Sequence, residues 1–197
     1  MIELGTVVVR RMRLRDMDAV RDIDGAVYSR PWSAATWRHE LGDPQRHHLV
    51  AICGGDVIGH AGALFVAGEA HITTVAVAPG SQGRGVATLM VLELLDVARE
   101  RDIDTATLEV RSADRRAQRI YSRLGFAPAG IRRRYYSEPV DDAVIMWLAD
   151  LGGSRLVARH APIRESLEHT VSPSETTHFD GYLGGERSDS EKETSDG

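Results

Sequence analysis

The stretch His71–Met90, HITTVAVAPGSQGRGVATLM, constrains the fold more than any other part of the chain. A strand-like run rich in β-branched residues ends in a polar turn, and a helical pattern begins at once. From Gly85 to about Arg101 the apolar residues occupy most of the helix circumference, so this helix must be covered on more than one side. The turn itself suggests an anion site. The first backbone N–H groups of a helix have no intrahelical partners, and the helix dipole favours negative charge there.

The flanking segments supply the remaining layers. TVVVRRM reads as a strand, and LRDMDAVRDIDGAVY places Met17, Val20, Ile23 and Val27 on one helical face. RPWS interrupts, Ser33 can cap a short helix SAATWRHEL, and GDP ends it. HHLVAI and DVIGHAGALFV flank Cys53-Gly54-Gly55 as a hairpin, and HITTVAVA follows as a third consecutive strand. DTATLEVR is the next strand, and DRRAQRIYSRLG is a helix ended by Gly125. FAPAGIRRRYY and AVIMWLAD are two final strands around SEPVDD. The expected order is β-α-α-β-β-β-α-β-α-β-β, an α/β or α+β domain with a mixed sheet over residues 1–150. Residues 151–197 are rich in Ser, Thr, Gly and acidic groups, and composition predicts a largely disordered acidic tail in which SRLVARHAPIRESLEH could form a short helix.

Charge and cysteine content narrow the function. The net charge is −5, yet residues 1–150 carry 19 basic and 20 acidic groups, and the excess acid lies in the tail. No general basic surface is present, so direct nucleic-acid binding is not expected. No apolar run reaches the roughly 20 residues that span a bilayer, and MIELGTVVVRRMRLRD lacks the order of a signal peptide. A single cysteine, Cys53, excludes an internal disulfide and suits a reducing cytoplasm. In a strand it reads as a small core residue. The histidines of the tail are too scattered to predict a metal, and without an exposed apolar seam a monomer is expected.

Two common phosphate loops fail at the glycine turn. A Walker A loop needs Gly-Lys followed by Ser or Thr, and the only lysine in the chain is Lys192. A dinucleotide fingerprint is met at Gly83 and Gly85, but Thr88 stands at its third small position. QGRGVA, with Gln82, Gly85 and Ala87 at the defining positions, instead resembles the Q/R-x-x-G-x-G/A signature of the GNAT acyl-CoA N-acyltransferase superfamily. The resemblance continues through TLEVRSADRRAQRIYSRLGF and IRRRYYSEPVDDAVIM, and covers roughly Val7 to Leu148. That last block and PWS near Pro31 are similar to the ribosomal-protein-alanine N-acetyltransferases within that superfamily.

The resemblance implies a centrally splayed sheet of about seven strands with about four helices, and acetyl-CoA as cosubstrate. It implies that Gln82, Gly83, Arg84, Gly85, Val86, Ala87 and Thr88 cradle the coenzyme pyrophosphate. It further implies that the backbone of Val75, Ala76 and Val77 lines the pantetheine arm and polarises the thioester carbonyl. Glu109 corresponds to the general base and Tyr121 to the general acid. An α-amine with a pKa of about 7.7–8.0 needs only a modest base, and a phenol near about 10 stays protonated to donate. As structural alternatives, Glu109 could pair with Arg111 on the same strand face, and Tyr121 could be a core residue beside Leu124. Asp114 stands where the family commonly has asparagine; it keeps the acceptor and helix-capping ability and loses the amide donors.

Trp32, Tyr135 and Tyr136 match positions near the peptide N-terminus, with Glu138, Asp141 or Asp142 as acceptors for a basic second residue. Arg132 to Arg134 could meet coenzyme phosphate or ribosomal RNA, or form a solvated strand edge. The expected substrate is a protein N-terminus, a small-subunit ribosomal protein with N-terminal alanine first. A small amine, an antibiotic or a lysine side chain is the alternative acceptor. A non-catalytic acetyl-CoA sensor is the alternative of another class.

Overall fold

A computed structural model describes residues 7–168. β1 (Val7–Arg11) leads through a 3-10 turn into α1 (Met17–Val27) and α2 (Ala34–Gly42), and β2 (Arg46–Cys53), β3 (Asp56–Val66) and β4 (Glu69–Val77) form an antiparallel meander. α3 (Val86–Glu100), β5 (Thr105–Arg111) and α4 (Arg115–Leu124) come next, followed by the hairpin β6 (Ala127–Ser137) and β7 (Val140–Leu148), then α5 (Ser154–Glu168). The order expected from sequence is observed through β7. The seven strands form one sheet in the order β1-β2-β3-β4-β5-β7-β6.

Local chemistry explains the element ends. Ser33 Oγ accepts the Thr36 N–H at 3.0 Å and caps α2. Gly54 and Gly55 turn β2 into β3 at φ +60° and +94°, and Gly125 stops α4 at φ +106°. Strand alternation then assigns the layers. Leu49 and Ala51 enter the core under α3, while Val50 between them joins Met12, Val20 and Trp37 beneath α1 and α2. Helix α3 is buried round most of its surface, from Val86 through Ala98. Cys53 packs at the edge of that core.

The sheet opens at its one parallel junction. β4 pairs with β5 only from Glu69–Ile72 against Thr105–Leu108. Beyond that, β4 stays with β3 and β5 stays with β7. The register of β4 on β3 skips Thr73, since Gly62 faces Thr74 while Ala63 faces Ile72. An extra residue in one strand bends it and increases its twist, which turns the end of β4 away from β5.

The helix that SRLVARHAPIRESLEH could form is present as α5, and one feature differs from the sequence reading: the packed region runs past the boundary expected at Asp150. Leu151, Leu156, Ile163 and Leu167 join the main core. The His160 Nε2–H donates to the Leu124 carbonyl at 2.8 Å, and Arg164 pairs with Glu93 at 2.9 Å and with Asp96. Leu156, His160, Ile163 and Leu167 recur at helical spacing, in the stretch where the sequence allows a short helix, and this stripe is the face that packs. Residues 169–197, and the disorder expected of them, lie outside the described residues. No described helix is long and apolar enough to cross a membrane.

Candidate active site

The splay leaves a cleft of about 560 Å³ between the ends of β4 and β5, closed by the segment after α1, by α4 and by the β6–β7 hairpin. Glu109, Tyr121, Asp114, Val75, Trp32, Tyr135 and Tyr136 all line it, so residues scattered from position 32 to 136 meet in one place. The turn Gln82–Gly85 follows directly from the end of β4.

Glu109 lies on the cleft floor with only 8% of its side chain exposed. Its Oε1 is 3.1 Å from Arg132 Nη2, and its Oε2 is 3.1 Å from His71 Nε2. The same-strand pairing with Arg111 does not form. The Arg111 guanidinium instead covers the Tyr136 ring at 4.1 Å and donates to the carbonyls of Glu138 and Pro139 at 2.9 and 3.0 Å. Arg132 is correspondingly not a purely solvated edge residue, because it reaches back to Glu109.

Tyr121 projects from α4 with its ring edge-on to Phe126 at 5.9 Å. Burial of the hydroxyl, reinforced by Tyr28, Asp114 and Tyr136, pushes the phenol well above its ordinary pKa. It therefore stays protonated throughout the neutral range. Asp114 Oδ1 accepts the Ala117 N–H at 2.9 Å and caps α4, the structural role expected of it.

The backbone of β4 presents alternate residues to the opening. The Val75 carbonyl accepts from Tyr28 Oη at 2.9 Å, the Val77 carbonyl accepts from Gln82 Nε2 at 3.0 Å, and the Ala78 N–H turns back to Ile58 of β3 at 2.9 Å. By this alternation Val75 and Val77 face the opening and Ala76 faces β3. The Ala76 backbone is therefore turned to β3, and of the three expected positions only Val75 and Val77 present backbone groups to the opening. The sequence does not single out Tyr28. It follows α1 directly, and nothing in its spacing separates a residue that pins the splayed edge from one that merely packs.

At the turn, Gly83 and Gly85 adopt φ of +83° and +84°, a region that strains other residues. Helix α3 starts at Gly85 with no side-chain cap, unlike α2 and α4. Val86, Ala87 and Thr88 stand in the first turn, whose N–H groups have no intrahelical partner, and the side chains of Val86 and Thr88 are buried. Arg84 is part of the same turn. A cation that the sequence does not point to, Arg116 of α4, also approaches: its Nη2 would lie 3.3 Å from a Cβ on Gly83. Tandem arginines at the start of α4 are a visible signal, but their direction is not.

On the outer wall, Trp32 stacks edge-on with Trp37 at 4.9 Å, and Tyr135 with Tyr136 at 5.1 Å. The Tyr136 hydroxyl donates to the Glu109 carbonyl at 3.3 Å, and burial pushes its phenol up to about 12. Of the three candidate carboxylates only Glu138 lines the cleft, paired with Arg30 at 3.3 Å. Asp141 is held by Ser112 and the Ala113 N–H, and Asp142 by Arg133 and the Arg134 N–H. Neither of them lines the cleft. Among the described residues no three His, Cys, Asp or Glu side chains are grouped to hold a metal ion.

A splayed mixed sheet with an uncapped, glycine-led helix at its opening defines an acyltransferase-like class of fold. The family model for GNAT acetyltransferases matches residues 17–126, and the chain belongs to that family. It is 30% identical over 142 residues to the ribosomal protein bS18-alanine N-acetyltransferase of Escherichia coli K12, covering 71% of this chain and 95% of that protein. It is 37% identical over 120 residues to the N-alpha-acetyltransferase RimI of Mycobacterium tuberculosis, covering 59% of this chain and 74% of that protein. The crystal structure of the E. coli ribosomal-protein-S18-alanine N-acetyltransferase superposes with a TM-score of 0.69 at 28% identity, covering 74% of this chain and 94% of that one.

Proposed function

We propose that this enzyme transfers acetyl from acetyl-CoA to the N-terminal α-amine of a protein, with an N-terminal alanine of a small-subunit ribosomal protein as its first substrate. The observation that carries this reading is the single cleft shared by a buried carboxylate, Glu109, and a protonated phenol, Tyr121. The similarity to bS18-alanine acetyltransferases directs it to a protein N-terminus.

The residues at the turn fit the coenzyme. Uncapped N–H groups at the head of α3, backbone conformations that need glycine, and the adjoining Arg84 and Arg116 suit a pyrophosphate. When bound, the coenzyme supplies an activated thioester acetyl group. Glu109 then takes a proton from the incoming ammonium so that its nitrogen lone pair can attack. The N–H of Val75 or Val77, on the open edge of β4, stabilises developing negative charge on the acyl oxygen. Tyr121 holds a proton for the departing thiolate. Trp32, Tyr135 and Tyr136 wall the place for the peptide terminus, and Glu138 favours a cationic second residue.

The test is turnover on short peptides that differ in their first two residues. Alanine N-termini are expected to be acetylated in preference to free lysine or small amines. Acetyl-CoA binding without turnover of any peptide would refute the substrate assignment and favour a sensor. For the coenzyme site, Arg116→Ala is expected to raise KM for acetyl-CoA about fivefold to tenfold, the loss of one partly exposed charge-assisted contact, with kcat retained. An unchanged KM in initial-rate measurements would remove Arg116 from the site.

A further inference from the structure

Glu109 is one end of a row of four polar side chains that crosses the parallel junction. Glu69 and His71 lie on β4, and Thr107 and Glu109 lie on β5. The register pairs His71 with Thr107, and alternation puts all four on the same face of the sheet. The links are Glu109 Oε2 to His71 Nε2 at 3.1 Å, His71 Nδ1 to Thr107 Oγ1 at 2.9 Å, and Thr107 Oγ1 to Glu69 Oε1 at 2.8 Å.

The donors in this row are fixed by counting hydrogens. A hydroxyl has one hydrogen to give, and Thr107 donates it to the Glu69 carboxylate. Thr107 can then meet His71 Nδ1 only as acceptor, so Nδ1 carries a hydrogen. In the neutral ring Nε2 is therefore the basic nitrogen, and it faces the Glu109 carboxylate. With the ring neutral, neither Nε2 nor Oε2 brings a hydrogen to that contact, and each offers a lone pair to one. The Nε2–Oε2 junction is thus built to receive one proton. Once filled, it is stabilised by a carboxylate on one side of the ring and a second carboxylate, through Thr107, on the other. Arg132 Nη2 occupies Glu109 Oε1 at 3.1 Å, which leaves Oε2 as the oxygen that faces the ring.

We infer that His71 is the proton-relaying partner of Glu109, and that Thr107 and Glu69 hold the tautomer that leaves Nε2 ready to receive the proton. This rests on Glu109 being the base. An N–H bond of the substrate ammonium breaks, its electron pair stays on nitrogen for the attack, and the proton passes through Glu109 Oε2 to form an H–Nε2 bond. His71 is 31% exposed, so the proton then leaves to water and the row resets. His71 does not line the cleft and acts through Glu109, as a positioning and relaying residue rather than one that touches substrate.

The experiment is steady-state turnover of an N-terminal alanine peptide by wild type, His71→Ala, His71→Gln, Thr107→Val, Glu109→Gln and the double variant Glu109→Gln/His71→Ala. Both His71 variants are expected to lower kcat about tenfold to a hundredfold with KM for acetyl-CoA unchanged. Added imidazole should restore turnover to His71→Ala, and pyrazole, of the same shape but far less basic, should not. The double variant should be no slower than Glu109→Gln alone, because a relay has nothing to carry once the base is gone. Thr107→Val should lower kcat several-fold through loss of the fixed tautomer. Wild-type kcat in both His71 variants, or equal rescue by pyrazole, would overturn the relay. Full activity in Thr107→Val would overturn the tautomer assignment. Full activity in Glu109→Gln would instead refute the base itself, an outcome distinct from either.

Discussion

Glu109→Gln is expected to lower kcat on an N-terminal alanine peptide by about 10²- to 10³-fold, with KM for acetyl-CoA held within about twofold. Glutamine preserves the size of the side chain and an oxygen that can still accept from Arg132, but it cannot take up a proton at neutral pH. The carboxylate uses one contact on each oxygen, to Arg132 and His71, which leaves acceptor capacity toward the cleft. If Glu109 served only as the centre of that ion pair, its loss would appear as a lowered melting temperature with kcat nearly intact. Kinetics and thermal unfolding on the same preparation separate the two roles, and retained turnover with a lowered melting temperature would end the catalytic assignment.

The largest effect on folding is expected at Gly62→Ala. A Cβ there would sit 2.2 Å from Nδ1 and 2.5 Å from Cε1 of His48. The His48 ring cannot step aside. It is 3% exposed, lies edge-on to Trp37 at 5.2 Å, and donates from Nε2 to Glu40 at 3.1 Å. Burial, with help from neighbouring positive groups, pushes its pKa down to about 3, so it is the neutral ring that packs here. Overpacking of this kind costs about 1–3 kcal/mol, and each kcal/mol lowers the melting temperature by roughly 2–4 °C in a chain of this size. Gly62 does not have a positive φ, so the objection is steric rather than conformational. Gly25→Ala is the matched control: Gly25 lies in α1 with nothing within 4 Å of an added Cβ, and alanine there should stabilise by up to about 1 kcal/mol. Equal melting temperatures for Gly62→Ala and wild type would show that the His48 packing is not rigid. A shifted ring would also carry Trp32, 6.2 Å away, and so reach the cleft wall.

Much of the site is legible in the amino-acid sequence, and the parts that are not share a cause. Glycine spacing and an uncapped apolar helix are local signals, and so are a Ser33 cap and an Asp114 cap. The sequence carries them because each is settled within a few residues of chain. Glu109 and Tyr121 are placed by resemblance to a family, which imports the geometry of other folded proteins. The engagement of Asp141 and Asp142, the contact of Arg132 with Glu109, and the approach of Arg116 to Gly83 are not legible. In each case a long or multiply bonded side chain chooses among several partners that only the folded chain brings within reach. Helix α5 is legible as a possible helix, but the docking of Leu156, Ile163 and Leu167 on the core is not, because their partners lie far away along the chain.

By itself, then, the sequence determined the order of elements through β7, the buried character of α3 and the anion-seeking turn at its head. These follow from backbone preferences and hydrophobic periodicity, which act over one or two turns of chain. The tertiary structure alone decided where β4 and β5 part, which carbonyls of β4 face the gap, and that Glu69, His71, Thr107 and Glu109 form one row. β4 and β5 are joined only through α3, so their register is a long-range outcome of packing that helix against the sheet. Periodicity tells each strand which face is buried, but it cannot tell a side chain who its neighbour on the next strand will be.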